Sequence, residues 1–421
     1  MINFINKNFS KKTKHFSRLG VRINYQTMKP FKLILICLLL VAASCKQTEE
    51  KQSNNNALAD ASTQIEVGTE SSVKPKAAVN IDYSVETVVS GLRNPWGFTF
   101  LPDGSMLINE KSGELIHFKN GEKTEISGLP EIYVRGQGGL MDIELHPDYA
   151  TNGWIYITHA TRDGDGDGGN TALIRAKLNG NKLTNVERLY KAEPNSRRGQ
   201  HFGSRIEFDN DGYLYFSVGD RGNRDVNPQD ITRDCGKIYR LNADGSIPND
   251  NPFVNNANAK KAIYSYGHRN PQGMTKHPET GKIWVHEHGP KGGDEVNIIE
   301  KGKNYGWPVI SYGVNYSGTK FTDITAKEGM EQPFFYWVPS IAPSGMAFVS
   351  SDKYPNWKGN LLVGSLKFEY LERLVIKNNK VTKREKLLEG MGRVRSARQG
   401  DDGYIYVGIE NLGIVKIVPN S

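Results

Sequence analysis

Asp211-Gly212-Tyr213-Leu214-Tyr215-Phe216 is a turn followed by a strand, and the same phrase returns along the whole chain. The other copies are Asp103-Gly104-Ser105-Met106-Leu107-Ile108, Asn152-Gly153-Trp154-Ile155-Tyr156-Ile157, Thr280-Gly281-Lys282-Ile283-Trp284-Val285, Lys358-Gly359-Asn360-Leu361-Leu362-Val363 and Asp402-Gly403-Tyr404-Ile405-Tyr406-Val407. The glycine supplies the positive φ of a tight hairpin, and the alternating residues after it read as a half-buried strand. Each unit therefore predicts one antiparallel sheet. The glycine spacing is uneven, 44 residues from Gly359 to Gly403 but 78 from Gly281 to Gly359. That suits four-stranded blades with variable loops better than a solenoid of fixed period. Sustained helical periodicity is almost absent. The expected fold is all-β, a six-bladed β-propeller whose long loops form a site at one mouth of the central channel. Tyr83-Ser84-Val85-Glu86-Thr87-Val88-Val89 precedes the first unit and is expected to close the ring as the outer strand of the last blade. A pair of β-sandwiches is the competing architecture; it needs a polar linker near the middle, and none is present.

Working outward, 37% hydrophobic residues and 44 glycines in 421 suit a turn-rich globular chain. The net charge of +8 would suggest nucleic acid or an acidic membrane as partner. Its location removes both. Lys7, Lys11, Lys12, Lys14, Arg18, Arg22, Lys29 and Lys32 all precede Cys45 with no acidic residue among them, leaving 46 basic against 46 acidic residues in the remainder. The basic leader runs into the apolar stretch from Leu33 to Ala43, of signal-peptide length and short for a bilayer span. Ala42, Ala43 and Ser44 before Cys45 look like a bacterial lipobox, with Ala42 where Leu is usual. Residues 1–44 thus read as a signal peptide, with Met28 a better start than Met1. Residues 45–76 read as a lipidated N-terminus and polar tether, and residues 77–421 as the propeller. The expected location is periplasmic or outer-membrane-associated, anchored at Cys45; ordinary cleavage to a soluble periplasmic protein is the alternative. Cys37 and Cys45 lie in the leader, so Cys235 has no partner for a structural disulfide.

Function should lie in the irregular loops. Four stand out: Gly136-Gln137-Gly138-Gly139-Leu140-Met141-Asp142; His201-Phe202-Gly203-Ser204-Arg205 with Gly219-Asp220; Gly267-His268-Arg269-Asn270-Pro271-Gln272-Gly273; and Glu287-His288-Gly289-Pro290 through Asp294-Glu295 to Asn304-Tyr305-Gly306-Trp307-Pro308. With Pro95-Trp96-Gly97, Ala342-Pro343-Ser344-Gly345 and Gly392-Arg393-Val394-Arg395, these make the chain from about Gly91 to Ile417 resemble the soluble quinoprotein glucose and aldose sugar dehydrogenase family. The stretch from Tyr305 to Gly318 places it nearer the aldose sugar dehydrogenase branch. The resemblance implies pyrroloquinoline quinone (PQQ) and calcium as cofactors and an aldose sugar as substrate. A separate quinone or cytochrome would accept the electrons, with no nucleic acid involved and membrane contact through the lipid anchor only.

Oxidising an anomeric hydroxyl needs a base for its proton while hydride leaves the same carbon, and an imidazole titrating near neutrality suits the task. By position His201 is that base. Asp220 matches the family's aspartate that holds the ring in one tautomer, and Arg269 is expected near the reactive carbonyl of the quinone. An acidic cofactor needs fixed cations and donors. The resemblance implies Arg269, Lys367, Arg393 and Arg395, with Gln137, Asn270, Gln272 and Tyr312, as its contacts. It also implies the carbonyls of Gly289 and Pro290 as ligands of the calcium touching the quinone, and Glu295 and Tyr305 as a second, structural calcium site.

Three features mislead. His286-Glu287-His288 has a spacing compatible with zinc or copper but lacks a further ligand cluster. Asp163-Gly164-Asp165-Gly166-Asp167-Gly168 opens like an EF-hand loop, yet Ile174 stands where the bidentate Glu belongs, so it reads as a mobile hairpin tip. Residues 136–139 lack the βαβ unit of a dinucleotide fingerprint. Two departures fall on sugar recognition: Gln200 replaces the glucose branch's aspartate before the base, and Phe334 stands where an aromatic hydroxyl of the substrate pocket is expected. Rival readings are a non-catalytic propeller that binds glycans or a protein partner, and a calcium-dependent lactonase, which needs side-chain carboxylate and amide ligands around its ion.

Overall fold

The computed structural model describes residues 83–420. The signal-peptide and tether readings fall on residues 1–76, outside that range.

Strand β1 (Tyr83–Ser90) leads into β2 (Pro95–Phe100), β3 (Met106–Glu110), β4 (Leu115–Lys119) and β5 (Glu122–Ile126), the four strands of the first blade. The second is β6 (Leu140–Leu145), β7 (Trp154–Thr161), β8 (Asn170–Asn179) and β9 (Lys182–Lys191), with the short helix α1 (Tyr149–Asn152) in its first turn. The third is β10 (Ile206–Phe208), β11 (Leu214–Val218), β12 (Lys237–Leu241) and β13 (Ile263–Tyr266), and the fourth β14 (Pro271–Lys276), β15 (Ile283–Glu287), β16 (Asp294–Ile298) and β17 (Phe335–Trp337). The fifth is β18 (Pro343–Phe348), β19 (Leu361–Ser365), β20 (Tyr370–Lys377) and β21 (Lys380–Leu387). The sixth joins β22 (Val394–Gln399), β23 (Ile405–Ile409) and β24 (Gly413–Pro419) to β1, which pairs antiparallel with β24 from Tyr83↔Pro419 to Ser90↔Gly413. The expected ring closure by the strand ahead of the first unit is what forms.

All six repeat glycines lie between the first and second strands of a blade, each with positive φ, from +68° at Gly153 to +81° at Gly212. An L side chain there would be strained, which explains why glycine recurs. One expectation fails locally. The strands that follow these turns are not half-buried: β3, β11, β15, β19 and β23 are buried at every residue. A second strand has a blade against each face. Alternation survives at outer strands such as β1 and β21.

The core is correspondingly divided into inter-blade layers. Leu107 and Leu115 pack on Ile143 and Ile155, Tyr156 and Leu173 on Phe216 and Tyr239, and Tyr215 and Ile238 on Met274 and Val285. Trp284 and Val296 meet Leu361 and Val363, Leu362 and Leu371 meet Ile405 and Val407, and Phe98 and Ile108 meet Tyr406 and Ile414. Every blade junction has its own apolar cluster, so burial is shared around the ring.

At the axis sits Arg205, fully buried. Its guanidinium donates to the carbonyls of Gln272 (2.8 Å), Trp96 (3.0 Å) and Arg395 (2.8 Å), pairs with Asp142 at 3.1 Å and lies 4.0 Å from the Trp96 ring centroid. One side chain of the third blade thereby ties itself to the first, second, fourth and sixth.

Candidate active site

In antiparallel blades, the turn from first to second strand lies at one mouth of the channel. The start of the first strand and the second-to-third turn lie at the other. The repeat glycines occupy the former, and the irregular loops with unusual chemistry converge on the latter.

His201 lies ahead of β10 and Asp220 just after β11. Imidazole Nδ1–H donates to Asp220 Oδ1 at 2.6 Å, which leaves Nε2 as the ring's proton acceptor. The carboxylate is saturated: Oδ1 also accepts Gly222 N–H at 2.6 Å and Oδ2 accepts Trp307 Nε1–H at 2.9 Å. Burial pushes the Asp220 pKa up, but the bond and charge of His201 and the Arg269 cation outweigh it, so the group ionises below its usual range. Burial first, then the charge of Arg269, lowers the His201 pKa against the pull of Asp220, so the ring is neutral at pH 7. His201 holds φ +58°, a left-handed conformation disfavoured for a non-glycine residue. Its N–H donates to Gln137 Oε1 at 2.8 Å, and the Arg221 guanidinium donates to the preceding Gln200 carbonyl. Those bonds over-determine the loop and fix the ring's aim.

Around this pair lies a cavity of about 250 Å3 whose wall includes His201, Asp220, Arg269, Pro290, Trp307 and Tyr316. Arg269 donates to the His288 carbonyl at 2.9 Å and lies 5.3 Å from the Trp307 ring centroid. Asn270 links neighbouring loops: its Oδ1 accepts Gly203 N–H, its Nδ2 reaches Gln137 Oε1 at 3.4 Å, and its carbonyl accepts His288 N–H.

A second group of predicted residues gathers across the channel. Arg395 donates through Nη1 to Gln272 Oε1 at 3.2 Å and through Nε to Glu410 Oε1 at 2.9 Å. Arg393 donates to Glu410 Oε2 at 2.9 Å and to the Leu366 carbonyl at 2.9 Å. Lys111 joins from the β3–β4 turn, donating to the Gly136 carbonyl at 2.9 Å, and burial and the Arg395 charge lower its pKa. Two guanidinium groups thus share one carboxylate, Glu410, whose charge Lys111 also feels, and the Asn94 Oδ1 beside it is buried without a partner. The cluster carries positive charge in excess, which fits an acidic ligand such as PQQ.

The donor set for a hard cation also fits. Glu287 and Glu295 face each other across the β15–β16 ladder, and burial with the Glu287 charge pushes Glu295 up to about 8. Asn297 Nδ2 contacts Glu287 at 3.2 Å and Glu295 at 3.3 Å while its Oδ1 is buried and unpaired. Two crowded carboxylates and an orphaned amide oxygen are what a calcium ion would satisfy. Gly289 belongs to a tight turn, where a Cβ would come 2.2 Å from the Gly293 carbonyl oxygen, and Pro290 lies on the His201 cavity wall.

Other residues singled out in the sequence have different surroundings from those expected. The Tyr305 hydroxyl donates to Ile298 O at 2.6 Å and accepts Glu300 N–H at 2.9 Å. Its ring stacks on His268, so the side chain meets the Glu287 carboxylate only through that imidazole and is not turned to Glu295. Tyr312 does not line the His201 cavity; its ring stacks on Tyr336 at 3.8 Å and its hydroxyl donates to Gln332. Phe334 packs against Trp284 at 4.5 Å, in the layer between the fourth and fifth blades, and does not line the His201 cavity, whose aromatic wall residues are Trp307 and Tyr316. Lys367 stays exposed at the rim with its ammonium 4.8 Å from the Phe368 ring centroid. The Asp163–Gly168 tip is tied down, because Asn195 Nδ2 points at the carbonyls of Arg162, Asp163, Gly164 and Gly166. His286 and His288 bond different carbonyls, those of Gly345 and Pro343.

Sequence reading missed the roles of Trp307, Lys111 and Glu410. Trp307 stood inside a quoted motif, but residues 299–334 leave from the opposite mouth and climb beside β13, with Trp307 N–H bonding the Gly267 carbonyl. No local pattern announces that path.

Fold and site together define a six-bladed propeller of the sugar-dehydrogenase kind, with an oriented imidazole at the loop-rich mouth. Residues 92–415 match the model of the glucose/sorbosone dehydrogenase family, and the chain belongs to that family. It is 42% identical over 332 residues to aldose sugar dehydrogenase YliI of Escherichia coli K12, covering 77% of this chain and 89% of that protein. To quinoprotein glucose dehydrogenase B of Acinetobacter calcoaceticus it is 29% identical over 321 residues, 69% of this chain and 65% of the other. The apo crystal structure of the E. coli soluble aldose sugar dehydrogenase superposes with a TM-score of 0.77 at 40% identity, over 80% of this chain and all (100%) of that one. The PQQ-bound aldose sugar dehydrogenase of Streptomyces coelicolor gives 0.65 at 28% identity, over 80% and 98%.

Proposed function

We propose that this protein oxidises an aldose at C1 to the aldonolactone with PQQ and calcium, then passes the electrons to a separate quinone or cytochrome. The observation that carries the proposal is the His201–Asp220 pair: a neutral, oriented imidazole whose free Nε2 belongs to a cavity that also contains Arg269. Within it, His201 accepts the proton of the C1 hydroxyl at Nε2. Asp220 holds Nδ1–H and stabilises the imidazolium that forms, as a carboxylate does for a catalytic histidine elsewhere. Trp307 and Gly222 keep that carboxylate from turning away. PQQ, when bound, would supply the acceptor for the hydride leaving C1, and calcium would supply Lewis-acid charge. Arg269, Arg393, Arg395 and Lys111 would hold the cofactor's acidic groups, with Gln137, Asn270 and Gln272 as neutral partners. Gly289 and Pro290 would offer carbonyls to one calcium, and Glu287, Glu295 and Asn297 side chains to another. The leader and Cys45 support export and a lipid anchor in the periplasm or at the outer membrane.

Reconstitution tests this reading. The purified protein is loaded with PQQ and calcium and offered a panel of aldoses with an artificial electron acceptor. Sugar-dependent reduction is expected; no quinone uptake and no turnover with any sugar would abandon the enzyme reading in favour of a binding propeller.

A further inference from the structure

The charges around the His201 cavity are not balanced. Three guanidinium groups line it, those of Arg198, Arg224 and Arg269, against two carboxylates. Asp220 is spent on His201, Gly222 and Trp307. Asp225 is 79% exposed and pairs with Arg224 Nε at 3.3 Å. Arg224 also donates through Nη1 to Asn315 Oδ1 at 2.8 Å and lies 4.6 Å from the Phe321 ring centroid, so its side chain is held in place on the wall. Arg198 is exposed, and among the described residues no carboxylate pairs with it. The residue before the base is Gln200, also on the wall, where the glucose branch of the resembled family carries an aspartate. At position 200 itself there is then no carboxylate to repel an acidic sugar, and Asp220 is engaged by three donors. Trp307 and Tyr316 supply faces for a sugar ring, and the two guanidinium groups beside them would bind a carboxylate through charge-assisted bonds stronger than any they make to a neutral hexose's hydroxyls.

We propose that the preferred substrate is an aldose carrying a carboxylate at the end remote from C1, a hexuronic acid, bound by Arg198 and Arg224. This rests on the dehydrogenase reading above. The carboxylate takes no part in the oxidation, which remains loss of hydride from C1 and of the hydroxyl proton to His201.

The test compares sugars differing only at C6, glucuronate with glucose and galacturonate with galactose, as substrates of the protein loaded with PQQ and calcium. A kcat/KM at least about tenfold higher for the acid is expected at low salt, the scale of one charge-assisted contact. The ratio should shrink as ionic strength rises and the Debye length falls below about 8 Å. Arg198→Gln and Arg224→Gln should each lower the ratio several-fold through KM for the acid, and Arg198→Lys should restore part of it. Equal kcat/KM for acid and neutral sugar, or ratios unmoved by both Gln variants, would overturn the acidic-sugar assignment and leave the dehydrogenase reading standing. No turnover of either sugar class would overturn both.

Discussion

His201 combines three properties that a solvent-exposed loop histidine lacks: a strained backbone, a single tautomer and a lowered pKa. Each has an identifiable partner, Gln137 for the backbone, Asp220 for the tautomer and burial beside Arg269 for the pKa. Replacing His201 by Ala removes the proton acceptor but not the cations across the channel. Turnover should therefore fall by about a hundredfold to ten-thousandfold while PQQ uptake, followed by fluorescence titration, persists. A fully active variant would reassign the base. Asp220→Asn tests the next link: the amide can offer its NH2 to Nδ1, which would place the ring proton on Nε2. A kcat loss of several hundredfold or more, with the sugar KM less affected, is expected.

Among the elements, the loop between β11 and β12 has the hardest task. It carries Asp220 into the site and then crosses the wall of the third blade. Lys237, buried at the start of β12, pins it by donating to the carbonyls of Asn227 (2.7 Å), Pro228 (3.1 Å) and Cys235 (2.8 Å). Asn227 Nδ2 in turn donates to the Asp220 carbonyl at 3.0 Å. Burial lowers the Lys237 pKa to about 8, and its bonds to three carbonyls replace water for the ammonium. Lys237→Met would strand the Cys235 carbonyl and take one of two donors from those of Asn227 and Pro228, which keep the N–H groups of Asp230 and Gly267, at a cost of about 1–3 kcal/mol. A chemical denaturation midpoint equal to wild type would show the loop to be held otherwise. Cys235, in the same loop, is a buried free thiol whose pKa burial raises to about 11, so it is unreactive as well as unpaired.

Over the whole molecule, stability depends on closing and holding the ring. Arg205 bridges five blades from the axis, so Arg205→Met would take the ion-pair partner from the buried Asp142 and a donor from the Trp96, Gln272 and Arg395 carbonyls, of which the last keeps the Ser344 hydroxyl. A loss of about 3–5 kcal/mol, read as a large drop in Tm, is the expected outcome; an unchanged Tm would show the apolar junctions to suffice. The pH profile of the metal-free protein follows from two opposed sets of buried groups. Burial pushes His159 down to about 4 and His286 to about 3, so their unfolded states take up protons first as pH falls below about 6.5, and stability is lost toward those values. Burial and a neighbouring carboxylate push Glu207 up to about 7 and Glu295 to about 8, which favours the folded state at low pH and costs stability as pH rises through those values. Tm measured against pH should peak between about 4.5 and 6.5. A maximum above pH 8 would contradict the burial of these carboxylates.

The recurring turn-and-strand phrase was enough to specify six sheets, their order and the strand that closes them, because hairpin chemistry and strand periodicity are local properties. Family motifs in the loops pointed likewise to His201, Asp220 and the arginines. Contacts between remote residues were not legible. Nothing near Arg205 in the chain says that it will reach Trp96 and Arg395, or near Glu410 that it will pair with Arg393 and Arg395. Nor does anything near Tyr312 or Phe334 show that each will pack away from the His201 cavity. Those choices depend on how blades and long loops meet around the axis, where burial and hydrogen-bond satisfaction are decided only once all six are in place.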